Sequence, residues 1–371
     1  MVLVVGLAVL ALGVSGLAGQ ALETPASAEA CGRCHRAIHA AWKMSVHAKA
    51  VESPLFQDAL EVAEKSFGAP ARKTCLGCHS PVAVKTNDLR LHNKVSWEGV
   101  TCDYCHSVQE VSFNGRNPTA KVEFTLIKSG PLKDVASSAH GTAYSAVHTS
   151  SEICAPCHQY RNRYGFPVLT TYSEWKESRY AKEGRTCESC HMYQVAGDVV
   201  DPRIQQTGLV KINLHQMPGS HSIEQLNRTI KAQLGTERRG GTLEVTVDVA
   251  NTAAGHYVPT GSPMRQVVLD VKVDSYDGQH FHETRTYART VADQQGIEID
   301  REPVAFMEGS MVLEDTRLKP DEKRHEVFNF SVPAGTAAQV KATFWYYYSP
   351  ILLRTEAPKR VTFLTLERLV K

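Results

Sequence analysis

Cys102-Asp103-Tyr104-Cys105-His106 is the stretch on which the fold turns, because it occurs five times. The other copies are Cys31-Gly32-Arg33-Cys34-His35, Cys75-Leu76-Gly77-Cys78-His79, Cys154-Ala155-Pro156-Cys157-His158 and Cys187-Glu188-Ser189-Cys190-His191. Together they use all ten cysteines of the chain. C-x-x-C-H is the attachment pattern of c-type haem. Two thiols two residues apart reach both vinyl groups on one porphyrin edge. The adjacent histidine then lies beneath the ring, where its imidazole binds the iron. Five haem c groups with iron are expected, with His35, His79, His106, His158 and His191 as proximal ligands.

Competing uses of cysteine fit poorly. A disulfide framework has no reason to follow every second cysteine with a histidine. Zinc sites pair C-x-x-C units without a fixed C-C-H triplet. A redox C-x-x-C sits singly on a strand-helix unit. Composition is otherwise ordinary: 371 residues, 42% hydrophobic, 22% charged, formal charge +2. No long basic run favours nucleic acid. The first 19 residues carry no charged side chain, and Ala26, Ala28 and Ala30 offer A-x-A-type cleavage. Residues 1–28 therefore read as a secretory signal peptide or, alternatively, an N-terminal membrane anchor. Either implies export.

At about one motif per 32 residues, residues 31–191 leave little room for a conventional side-chain core, so porphyrins must supply much of the buried apolar volume. Short helices are expected to hold them. In "TTYSEWKESRYAKEG", Thr171 and Glu174 have capping-box spacing and Gly184 is a stop. "CHRAIHAAWKMSVHAKAV" reads as helix, with Trp42 placed to pack on a porphyrin. The loops "SFNGRNPTA" and "KSGPLKD" break the region at the surface.

The sixth iron position decides function. A second histidine leaves an electron carrier, whereas an open position permits substrate chemistry. Distal candidates are His47, twelve residues past His35; His140 and His148, flanking "GTAYSAV"; His215 and His221, around the Pro218-Gly219 turn; and His256 in "NTAAGHYVPTGSPMR". His256 lies on a strand-end corner which, if it faces the haems, would staple the tail to them by a coordination bond. The alternative is a surface turn residue. His92 is a ligand or an exposed loop residue. His39, His280, His282 and His325 read as surface or packing residues.

Beyond residue 222 the texture changes. "SIEQLNRTIKAQL" reads as a capped amphipathic helix, with Ser222 before Gln225 and apolar positions 223, 226, 230 and 234. Leu243, Val245, Val247 and Val249 then alternate with polar residues, as do Val267, Leu269, Val271 and Val273. Asp277-Gly278 is a hairpin signal.

"CGRCHRAIHAAWKMSVHA", "EGVTCDYCHSV", "AHGTAYSAVHTSSEICAPCHQY", "TYSEWKESRYAKEGRTCESCHM" and "HQMPGSH" resemble the multihaem c-type cytochromes grouped around cytochrome c-554. "NTAAGHYVPTGSPMR" is similar to the β-domain of larger members. The resemblance spans roughly residues 29–265 and implies a periplasmic or extracellular electron-transfer protein with mostly bis-histidine haems stacked in pairs. It favours His47, His148, His140, His215 and His256 as distal ligands, with His221 the sixth contender. The fifth motif and the β-domain depart from the tetrahaem pattern.

The expected fold class is α+β. A mainly α multihaem cytochrome domain, 29–221, has little regular structure beyond short helices. A linking helix follows at 222–236, then an antiparallel immunoglobulin-like β-sandwich at 237–371. The expected function is electron transfer between redox partner proteins in the periplasm or at the cell surface: a quinol-linked donor and a terminal reductase or outer-membrane conduit. Two alternatives remain. One is a reductase or oxidase of a small nitrogen or sulfur compound with one open iron, which five motifs all ending in His disfavour. The other is a homo-oligomeric extracellular haem filament.

Overall fold

A computed structural model describes residues 24–206, 208–349 and 359–371. The expected signal or anchor segment therefore lies largely outside the described residues. Its last residues do not stand apart from the fold, as a boundary at 28 requires. Ala26 N donates to Asp103 Oδ2 at 2.6 Å and Ala28 N to Glu98 Oε2 at 2.8 Å. Ser27 caps the helix Ala28–Gly32 through Ala30 N, and Ala28 is buried. A cut after Ala26, Ala28 or Ala30 would strip donors from Asp103 or Glu98, or split this helix. Among the described residues, no helix is long and apolar enough to cross a membrane.

Four of the five motifs end a short helix: Ala69–His79, Cys102–His106, Ala155–His158 and Cys187–His191. Helical geometry makes this useful. Residues i, i+3 and i+4 share one face, so both thiols and the imidazole project from the same side. The longest helix before residue 222 is Pro54–Phe67, with 14 residues. The helix expected from Thr171 is broken. Thr170 is its N-cap, Thr171–Glu177 ends at Ser178, and Arg179–Lys182 follows, before Gly184 at φ +72°.

Regular structure here exceeds expectation, since four short β-ladders join the helices. Val108–Ser112 pairs with Thr119–Val122 and Gln194–Gly197 with Val210–Asn213, both antiparallel. Ile127–Gly130 pairs in parallel with Gly141–Tyr144, so part of "KSGPLKD" is strand rather than loop, and Tyr160–Arg161 meets Pro167–Leu169. Side-chain cores stay small. The largest confined to this region joins Val51, Phe56, Leu60, Leu76, Ala83 and Leu91. Trp42 packs with Ala28 and Ala48 and donates to Val100 O at 3.0 Å, so protein surrounds it.

The linking helix is shorter than expected. Ser222 caps Ile223–Thr229, and Ile230 opens a strand. Ile230, Ala232 and Leu234 have strand period, and pairing across ten residues outweighs the helical spacing of 226, 230 and 234. The strands are β1 Ile230–Arg239, β2 Thr242–Asn251, β3 Gln266–Ser275, β4 His280–Tyr287, β5 Arg289–Ala292, β6 Met311–Asp315, β7 Lys323–Ser331, β8 Ala338–Ser349 and β9 Lys359–Val370. One antiparallel sheet has the order β7-β2-β1 and another β4-β3-β8-β9. The alternating Leu and Val of β2 and β3 share one core with Phe328, Phe330, Phe344 and Phe363. Gly240, in a two-residue turn, and Gly278, closing the three-residue loop 276–278, make the hairpins with φ of +62° and +89°, the left-handed conformation these positions need.

The β5-β6 hairpin and the helix Glu302–Glu308 within it reach onto the helical part. Phe166 and Val168 share a core with Val291, Ile299 and Ala305. Asn162 Nδ2 donates to Gly309 O at 2.6 Å, and the buried Arg289 donates to the carbonyls of Pro167 and Val168.

Candidate functional site

Three of the five motif histidines are oriented by backbone carbonyls. His35 Nδ1 donates to Val199 O at 2.7 Å, His79 Nδ1 to Ala50 O at 3.0 Å and His106 Nδ1 to Ser129 O at 2.6 Å. Several candidate partners are held likewise. His140 bonds Gly141 O, His215 bonds Asn213 O and His256 bonds Tyr257 O through Nδ1, at 2.8, 2.7 and 2.9 Å. His47 Nδ1 lies 2.7 Å from Met217 Sδ. Anchoring Nδ1 fixes the tautomer and leaves Nε2 for a metal, the second-shell arrangement typical of ligating histidines. Four of the carbonyls, those of Ser129, Gly141, Asn213 and Val199, lie on or just beyond the short ladders.

The imidazoles come in twos. Ring centroids lie 6.2 Å apart for His35 and His140, 6.2 Å for His47 and His158, 6.1 Å for His106 and His215, and 6.3 Å for His191 and His256. An iron bonded to two imidazoles at about 2.0 Å each would separate the centroids by roughly 6 Å. Each pair joins a motif histidine to one outside the motifs, so the spacing fits a haem iron. Burial pushes His47, His191 and His215 down to about 4, and His158 to about 3, with neighbouring imidazoles adding to it. They are neutral at pH 7, the form that binds metal.

The remaining candidates behave differently. His79 has no imidazole facing it among the described residues; its ring neighbour is Phe56, stacked at 3.9 Å and 10°. That contact covers a face of the proximal ring. His148 stacks on His106 at 5.6 Å, bonds Cys105 O through Nε2 at 2.9 Å, and buries an Nδ1 that has no partner. It is thus a second imidazole beside His106, bearing the opposite free nitrogen to His215. His221 is exposed, against Gly219. His92, His280 and His325 are exposed beside Asp88, Asp274 and Asp248. His39 stacks on Trp42.

Thiols of different motifs also meet. Cys31 interacts with Cys102, Cys78 with Cys157 and Cys154 with Cys187.

The corner bearing His256 depends on residues that the sequence does not mark. Glu174 is buried and accepts four hydrogen bonds: from Thr170 Oγ1 (2.6 Å), Arg317 Nη1 (2.8 Å), Tyr257 N (3.1 Å) and Thr260 Oγ1 (2.7 Å). Burial pushes its carboxyl up, but Arg317, Thr170 and Thr260 outweigh this and hold it below the ordinary range. The side chains of Glu174 and Arg317 are each 6% exposed, so removing Arg317 would strand the Glu174 carboxylate at a cost on the order of 3–5 kcal/mol, whereas Arg317 also pairs with Asp315. Glu174 is readable only as a capping residue, because its other three partners, Tyr257, Thr260 and Arg317, lie more than 80 residues away.

The family described as cytochrome c554 and c-prime matches residues 30–107. Cytochrome c-554 of Nitrosomonas europaea is 30% identical over 152 residues, which cover 38% of this chain and 61% of that protein. A penta-heme cytochrome c552 from Thermochromatium tepidum is 21% identical, covers 95% of this chain and 100% of its own, and superposes with a TM-score of 0.74. At that identity the likeness shows the fold.

Proposed function

We propose that this chain, a multihaem c-type cytochrome, binds five covalent haems and relays electrons along them in the periplasm or at the cell surface. The observation that carries the reading is the set of four imidazole pairs at 6.1–6.3 Å, spaced to close four irons with two strong-field ligands. Covalently held haem supplies one-electron redox chemistry. The chain's own residues anchor it through ten thioethers, orient the ligands through Nδ1, and shield it from water. His35, His106, His158 and His191 take His140, His215, His47 and His256 in this assignment, and His148 packs beside His106.

Touching thiols support transfer between haems. Porphyrins bonded to these neighbouring sulfurs would have edges in reach of one another, which would link the first motif to the third, the second to the fourth and the fourth to the fifth. The proposed relay runs through these two groups of motifs as one path. Redox partner proteins dock at its ends. The sheet orders β7-β2-β1 and β4-β3-β8-β9 also support the immunoglobulin-like reading of the sandwich.

A second reading adds ligand chemistry at the iron beneath His79, favoured by the absence of a facing imidazole there among the described residues. Glu302 and Arg265 both act electrostatically on His79, after burial and the Ala50 carbonyl. An open iron there would take a small ligand.

The intact mass of the exported protein tests the main reading. Five haems and an N-terminus at Thr24 or earlier are expected. Fewer haems would break the relay, and a terminus at Glu29 or Cys31 would contradict the docked 24–28 strap.

A further inference from the structure

We propose that Glu174 and Arg317 form a buried clamp that positions His256 against His191 and thereby sets the ligand field of the iron those two histidines share. The proposal rests on the reading of His256 as an axial ligand.

Glu174 lies on the helix Thr171–Glu177, in the chain between the fourth and fifth motifs, whereas His256 and Arg317 belong to the β-sandwich part. One carboxylate oxygen takes Arg317 and Thr170. The other takes Tyr257 N and Thr260 Oγ1, thereby gripping the backbone next to His256 and the turn beyond it. Arg317 is held from behind by Asp315 at 2.7 Å and lies over the Tyr257 ring at 4.7 Å. Buried Asn251 completes the corner, donating to His256 O at 3.1 Å and accepting from Ala254 N at 3.1 Å. Gly255 has no room for a side chain, since a Cβ there would meet Trp175 and Tyr180 at 3.1 Å.

His256 is therefore bracketed on both sides, by Asn251 at its own carbonyl and at Ala254, and by Glu174 at Tyr257 and Thr260. A ligand held by its protein context keeps its bond length and tilt, and second-shell partners of this kind tune the metal. Glu174 and Arg317 are positioning residues.

The test compares Glu174→Gln with His256→Ala in the haem-loaded protein, by EPR of the oxidised state and by potentiometric titration. His256→Ala identifies the signal of the His191 haem as the one it removes. Glu174→Gln keeps the side-chain volume but loses the charge and one acceptor. It is expected to shift the g-values and potential of that haem, with a high-spin fraction, and to leave the other haems unchanged. Thr260→Val, which removes one donor without stranding a charge, should shift the same signal less; it decides the matter if Glu174→Gln does not accumulate. A lowered melting temperature with that signal and potential unaltered would reduce the clamp to a structural ion pair and overturn the proposal. If His256→Ala removes no low-spin signal, the ligand reading itself fails and the proposal falls with it.

Discussion

A chain exported without haem attachment is expected to lose the fold of residues 24–221 while keeping that of the β-sandwich. The two regions differ in what holds them. From Leu226 to Phe363 one core joins the inner faces of both sheets, and Leu243, Val245, Val247, Val267, Leu269, Val271 and Phe344 are fully buried in it. Before residue 222, the largest side-chain cluster confined to the region has six members, and two others have three each. Such clusters are too few to offset the conformational entropy of ordering that length of chain. Porphyrins must supply the missing apolar surface. Limited proteolysis of chain produced without haem maturation should leave a protected fragment beginning near residue 222, with the motif region cut as readily as an open chain. Equal protection of residues 24–221 would mean that side chains alone hold that region.

Replacing His256 with Ala is expected to convert one haem in five from low to high spin without detaching the β-sandwich. His256 sits 6.3 Å from His191, centroid to centroid, and no other described imidazole is paired with that ring. Removing it opens one coordination position. The coordination bond anticipated as a staple is, however, one fastening among many. The Glu174–Arg317 pair, Asn162 to Gly309, Arg289 to two carbonyls, Arg179 to Asp321 at 2.7 Å, and the packing of Phe166 and Val168 on Val291 all remain. Visible and EPR spectra read the conversion, and the elution volume reads the docking. An unchanged spectrum would remove His256 from the ligand set. An expanded particle would restore the staple.

How much of this was legible follows from where each interaction lies along the chain. Haem attachment is written in five consecutive residues, so the ten cysteines and five motif histidines stand out. Candidate partners could be gathered but not matched, because pairing His35 with His140 or His106 with His215 depends on which loops fold back. The corner at His256 could be read from Gly255 and Pro259, since turns are local. Glu174 could not, because Thr260 and Arg317 lie 86 and 143 residues from it. The misread helix has the same origin. Residues 226, 230 and 234 satisfy a helical period, 230, 232 and 234 a strand period, and the deciding partner is β2.

The proposed relay has four irons closed by histidine pairs, and the second reading leaves the one beneath His79 open. An EPR spectrum of the oxidised protein, with haem quantified on the same sample, tests it most directly. The account predicts low-spin signals integrating to four haems and a high-spin signal integrating to one. Low-spin intensity for all five would mean that a ligand closes the His79 iron, and more than one high-spin iron would break the pairing on which the relay rests.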